Sequence, residues 1–146
     1  MSTSNSVILK QYNNAVREEA ICDGTPLPGH LLKIESTGHF AVHSVAGGNA
    51  QKRFALEDEL QGKDITTAYT ASTLCQAVVA QPGDFIQARL KASENVAIGD
   101  YLESAGDGTL QKVTSDSADL YNQNVVAVAR EASNVGTVAR IAVQVV

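Results

Sequence analysis

His39 and His43 stand four residues apart, a spacing that on a helix lets two imidazoles share one zinc ion. On a strand, at about 3.3 Å per residue, the same rings lie roughly 13 Å apart, too far for one metal. Gly38 precedes them and the residues alternate, with Phe40 and Val42 on one face and His39, Ala41, His43 and Val45 on the other. The strand geometry therefore applies, and both histidines are expected at a surface or interface. His30, just after Pro28-Gly29, reads as a loop residue. Cys75 would be a nucleophile only with a histidine beside it. It sits in an alternating apolar run, Leu74 to Ala80, and reads as a buried, inert thiol. Cys22 lies in a breaker-rich stretch and is expected to be more exposed. With no secretory leader expected, both cysteines read as free thiols of a reducing compartment.

Asp84, Asp100 and Asp107 each follow a glycine. A calcium loop needs oxygens converging at alternating positions, and these three are too spread out for that. They read as turn residues. Glu57-Asp58-Glu59 reads as a solvated acidic loop, and Gly47-Gly48 lacks the Lys-Ser/Thr ending of a phosphate loop. No catalytic residue, metal ligand or cofactor is expected.

The elements that carry these residues are set by turns. Pro82-Gly83-Asp84-Phe85-Ile86 and Ile98-Gly99-Asp100-Tyr101-Leu102 each join a Gly-Asp turn to an aromatic-aliphatic pair, and Gly106-Asp107-Gly108-Thr109-Leu110 adds a third turn. Glycine supplies positive φ and aspartate bonds its own backbone, so both favour tight turns. Turns at such short spacing, feeding short β-prone runs, predict a mostly β chain: a small β-barrel or β-sandwich-like domain.

Strands are expected at Leu31–Glu35 and His39–Val45 as a hairpin, at Arg53–Glu57, Leu74–Ala80, Phe85–Ala92 and Leu110–Val113, and at Val125–Ala132 and Thr137–Val146 as a second hairpin. In Phe85–Ala92, the set Ile86, Ala88, Leu90 and Ala92 faces the core. The polar loop from Ser115 to Asn122 has room for a helical turn at Ala118–Tyr121. Residues 1–25 read as an extended N-terminal arm, with one or two helical turns allowed over Tyr12–Ile21, and 26–146 as the β-rich domain. Asp23-Gly24-Thr25-Pro26 marks the boundary.

The chain has 146 residues, a net charge of −5, no Trp, three Phe and four Tyr. An acidic, aromatic-poor chain lacks both the basic stripe and the stacking platforms of a nucleic-acid binder. It is equally unsuited to an anionic membrane surface. No apolar run approaches 18 residues, so no membrane-spanning helix is expected.

One local likeness is to lipoyl and biotinyl carriers, whose Val-x-x-Gly-Asp turn is similar to Val96-Ala97-Ile98-Gly99-Asp100. Such carriers present a modifiable lysine at a hairpin tip. Here Lys91 lies in a strand, Lys112 follows Gln111, and no Met flanks either one.

A longer set of residues resembles the capsid cement, or head decoration, proteins of tailed bacteriophages. It comprises Leu27-Pro28-Gly29-His30-Leu31-Leu32, Gly38-His39-Phe40, Ala46 to Gln51, Phe54 to Glu57, Ile98 to Lys112, Val126 to Ala132 and Val138 to Val146, and so spans roughly 26–146. The resemblance implies a non-enzymatic virion protein made in the host cytoplasm. Such a protein binds the outside of an expanded icosahedral head and holds neighbouring major capsid proteins together, commonly as a homotrimer at three-fold and quasi-three-fold positions. The partners it implies are the major capsid protein and further copies of the chain, with no nucleic acid and no membrane. The arm then becomes the expected grip on the shell or on a neighbouring subunit, through Val7, Ile8, Leu9, Tyr12 and Ile21. The alternatives are a small β-domain of a phage tail or baseplate, or a non-catalytic ligand or carrier module.

Overall fold

The computed structural model describes residues 4–11, 16–114 and 124–146. Among the described residues there are thirteen strands: β1 Ile8–Lys10, β2 Val16–Ile21, β3 Leu31–Ile34, β4 Phe40–Val42, β5 Arg53–Ala55, β6 Leu74–Val79, β7 Phe85–Leu90, β8 Asn95–Val96, β9 Tyr101–Ser104, β10 Leu110–Lys112, β11 Ala127–Ala129, β12 Ser133–Asn134 and β13 Ala139–Val145. Among the described residues the only helical element is a 3₁₀ turn at Glu59–Gln61. The chain is mostly β, as expected.

Five strands close into a barrel in the order β7-β10-β9-β11-β13 and back to β7. Only β10–β7 is parallel, and the other contacts are antiparallel. Closure removes the open edges that a sheet this small would otherwise expose. Along β13 burial alternates strictly: Ala139, Ile141, Val143 and Val145 point in, and Arg140, Ala142 and Gln144 point out. On β7, Ile86, Ala88 and Leu90 point in; Ala92 lies beyond the strand and is exposed. The β8–β12 ribbon adds Val96 and the nearby Val135 to the same core.

The other five strands form an antiparallel sheet in the order β2-β6-β5-β3-β4. A bridge from Cys22 to Phe40 joins its two ends. Adjacent residues on its strands serve two different cores. Leu31, Phe54 and Val78 pack into the barrel core. Leu32, Ala55 and Ala77 pack with Cys22, Phe40, Tyr69 and Cys75 in a second, smaller one. A strand buried on both faces loses its polar alternation, which is why Arg53–Ala55 is buried throughout.

The described residues of the N-terminal segment lie on both sheets. β1 pairs with β7 and β2 pairs with β6. The helical turns allowed over Tyr12–Ile21 do not form across Val16–Ile21: all six residues of β2 find partners on β6, and that pairing outweighs a weak helical preference. Tyr12, and the helical turn at Ala118–Tyr121, lie outside the described residues.

Three burial expectations are corrected. Cys22 is fully buried, because it closes the second sheet. His43 is 5% exposed, because its ring bonds at both ends inside the protein. Glu57 and Asp58 are buried, not solvated.

Candidate functional site

The chemistry-bearing side chains are engaged in structure. His43 Nδ1 lies 2.7 Å from Ser104 Oγ, and its Nε2 lies 2.9 Å from the Asn49 carbonyl. A carbonyl can only accept, so Nε2 carries the proton and Nδ1 accepts from the Ser104 hydroxyl. Ser104 Oγ in turn accepts from the Gly106 amide at 3.1 Å. This has the outline of a nucleophile–base pair, but Ser104 is fully buried. The relay ties the loop after β4 to the end of β9.

His30 Nδ1 accepts from the Leu27 amide at 3.1 Å. Burial, then the nearby Arg89 charge, pulls its pKa down to about 4, although Asp107 opposes. His39 is half-buried and bonds Asp23 at 2.8 Å. Burial pushes the Cys75 thiol up to about 12, far from a reactive thiolate. Cys22 Sγ donates to the Thr70 carbonyl at 3.3 Å, and both cysteines are free thiols. Among the described residues no cluster of His, Cys, Asp and Glu is arranged to hold a metal. Nor is any helix there long and apolar enough to cross a membrane.

The residues expected to grip a partner are distributed unevenly. Val7 is fully buried in its own barrel core, so it offers no contact surface in this fold. Ile8 packs against that core, Leu9 is half-buried on β1, and Ile21 is exposed at the end of β2. Ile21 pairs with Leu74, which is also exposed. A shallow cavity of about 300 Å³ beside Leu74 is lined further by Leu60, Asp58 and Lys63.

The arm is fixed at its start. The Glu57 carboxylate accepts from the Ser6 hydroxyl at 2.9 Å and the Val7 amide at 3.0 Å. Gln87, fully buried although outward-pointing on β7, donates its side-chain amide to the Ser4 and Ser6 carbonyls. Beside it Arg89 and Arg140 are cross-strand neighbours. Like charges placed so are unfavourable. Here they are spread onto carbonyls of other segments: Arg89 donates to Pro28 and Ile65, and Arg140 to Ser4.

The outer barrel surface carries a different feature. Pairing registers place Lys10, Phe85, Gln144, Val128 and Tyr101 in one lateral row across β1, β7, β13, β11 and β9. The Arg130 guanidinium lies 5.3 Å and the Lys10 ammonium 5.5 Å from the centre of the Phe85 ring, within cation–π range. Arg130 also reaches Gln144 at 3.3 Å. Tyr101, at the far end, is 58% exposed. The row was not singled out from the sequence, yet a signal exists: Phe85 and Tyr101 are the aromatics that follow the two Gly-Asp turns. What the sequence lacks is the register that aligns them.

No protein-family model and no curated protein matches this chain. Among solved structures, the fold is similar to that of the head fiber gp8.5 N base in bacteriophage phi29. The match covers 91% of this chain and 95% of that one, with a TM-score of 0.58 and 14% sequence identity. At that identity the likeness shows a shared fold. It extends over both sheets, because so little of either chain falls outside the match.

Proposed function

We propose that this chain is a structural protein of a tailed-phage head, and specifically a cement protein that docks on the outside of the expanded shell. The observation that carries the reading is the fold shared end to end with a phage head fiber base. The sequence resemblance to decoration proteins over 26–146 points the same way. In this reading the protein is a non-enzymatic part of the virion exterior, its partner is the major capsid protein, and it acts as a homotrimer at three-fold and quasi-three-fold positions. A trimer engages several capsid subunits at once, so modest patches add up: linked contacts raise avidity by roughly 10²–10⁴.

The row from Lys10 to Tyr101 suits the contact. Aromatic and arginine side chains are enriched at the centres of protein interfaces, and the row joins a Phe85 ring flanked by Lys10 and Arg130 to an exposed Tyr101. Ile21, with Ile8, Leu9 and Tyr12, remains the arm's proposed contribution.

The test is sedimentation with expanded, undecorated shells. The wild-type chain is expected to bind saturably and Tyr101→Ala to bind at least about tenfold more weakly, as removal of an interface anchor does. Deleting residues 2–24 is a poor probe, because it removes Val7 from the core and two strands from their sheets. Absence of binding to shells that accept another decoration protein, or co-purification with tails and not heads, would overturn the proposal.

A further inference from the structure

We infer that the open edge of β2 pairs with the same edge of a second copy of this chain, antiparallel and about a two-fold axis at Glu18. Among the described residues β2 is paired along its length on one side only, with β6, and on the other side it is held only at its far end, by the bridge from Cys22 to Phe40. The groups that face the open side follow from its neighbours. The Cys22 amide donates to the Thr73 carbonyl at 2.9 Å, on the β6 side, and the Asp23 amide donates to the Phe40 carbonyl at 2.7 Å, on the other. Main-chain groups alternate sides along a paired strand. Arg17, Glu19 and Ile21 therefore turn their N–H and C=O outward, while β4 closes the edge at Asp23.

An exposed edge of this length is a template for pairing, and charged residues normally guard it against indiscriminate partners. On β2 the guard is Arg17-Glu18-Glu19, and its order selects one partner. A two-fold at Glu19 sets Glu19 against its own copy, and one at Arg17 sets Arg17 against its own. A two-fold at Ala20 requires the space at Asp23 that β4 already fills. With the axis at Glu18, Arg17 of each chain faces Glu19 of the other, twice, and the two pairs exchange four main-chain hydrogen bonds. The side chains of Arg17 and Glu19 are exposed and free to meet. The two Glu18 side chains approach on the opposite face, where each is neutralised by Arg53: Glu18 Oε2 accepts from its Nε at 2.8 Å and its Nη2 at 2.7 Å. The contact doubles whatever unit carries it, monomer to dimer or trimer to hexamer, and needs no shell.

Sedimentation velocity of the full chain over a concentration series tests the inference. The wild type is expected to double in mass with rising concentration. Arg17→Glu and Glu19→Arg each turn two attractive pairs into two repulsive ones, so each is expected to weaken doubling by about tenfold or more. The double variant R17E/E19R restores it. So does an equimolar mixture of the two single variants, because the edge that is acidic at both positions then faces the edge that is basic at both. Circular dichroism checks that each variant is folded, and surface positions on an edge leave the cores untouched. A wild type that never doubles up to about 0.5 mM, where any contact tighter than that would be populated, overturns the inference. So does doubling that is indifferent to either reversal, or single variants that fail to rescue one another.

Discussion

Asp84 and Asp100 stand at equivalent places in two copies of one turn. The Asp84 carboxylate accepts from the amide of Gln81 and that of Asp100 from the amide of Ala97, each three residues back and each at 2.9 Å. The aspartate amides return a bond to the carbonyls of the same two residues. Gly83 and Gly99 before them sit at φ 100° and 94°, where a Cβ is strained whatever the space around it. The turns are also docked alike: Gly83 and Asp84 exchange two bonds with Val145, and Gly99 and Asp100 exchange two with Ala129. β7 and β9 thus start from matched footings on β13 and β11, each opening on an outward aromatic.

The two aspartates should differ in how much they stabilise. Asp84 is 4% exposed, so Asp84→Ala leaves the Gln81 amide without its acceptor in a dry setting and should cost about 1–2 kcal/mol. Asp100 is more open and shares its carboxylate with Lys112, so Asp100→Ala should cost about 0.5–1 kcal/mol. Urea unfolding midpoints at pH 7 rank the two.

Acid should weaken the fold first through His30. Its pKa is about 4 in the folded chain and 6.5 in the unfolded one, so the unfolded state binds the extra proton between those values. The stabilisation is complete above pH 6.5 and is lost as pH falls toward 4, by about 3 kcal/mol in full. His30→Gln is expected to flatten that part of the stability–pH curve, measured by urea unfolding at stepped pH. An unchanged slope would contradict the assignment.

Neither thiol should react while the chain is folded. Cys22 and Cys75 are fully buried and burial disfavours the Cys75 thiolate. Alkylation by iodoacetamide at pH 8 is expected at the rate of global unfolding for both, and at once in denaturant. Mass spectrometry of partly labelled protein should show no singly labelled species, since one unfolding event exposes both.

Glu57 should decide whether the arm stays down. Glu57→Ala removes the acceptor of the buried Val7 amide and of the Ser6 hydroxyl, at a cost of about 1–3 kcal/mol. Limited proteolysis near Ser6 is expected to speed up in this variant well before the core melts.

The sequence disclosed the β class, both hairpins and the Gly-Asp turns, because these rest on local rules: alternation, positive φ at glycine and aspartates bonding their own turn. It also placed Ile86, Ala88 and Leu90 in the core. What stayed hidden was set by layering. Glu57 read as wet because Asp58 and Glu59 follow it, and Gln87 as outward because it alternates with the core set of its strand, yet the arm lies over both and uses them as its clamps. Cys22 read as exposed because nothing local shows that Phe40 lies beside it. The row from Lys10 to Tyr101 draws one residue from each of five strands, and only pairing register can assemble it.

The place of β13 carries a consequence for how the chain is made. Its residues, 139–145, pair on one side with β7 and on the other with β11. On a ribosome, the antiparallel sheet from β2 to β6 has all its strands once Val79 has emerged. The barrel keeps a one-strand gap until Val145 has followed, and through that interval β7 and β11 each keep an edge without its partner. The half-made protein is therefore a finished sheet attached to an open, sticky one, and β13 is the stave that seals the cask.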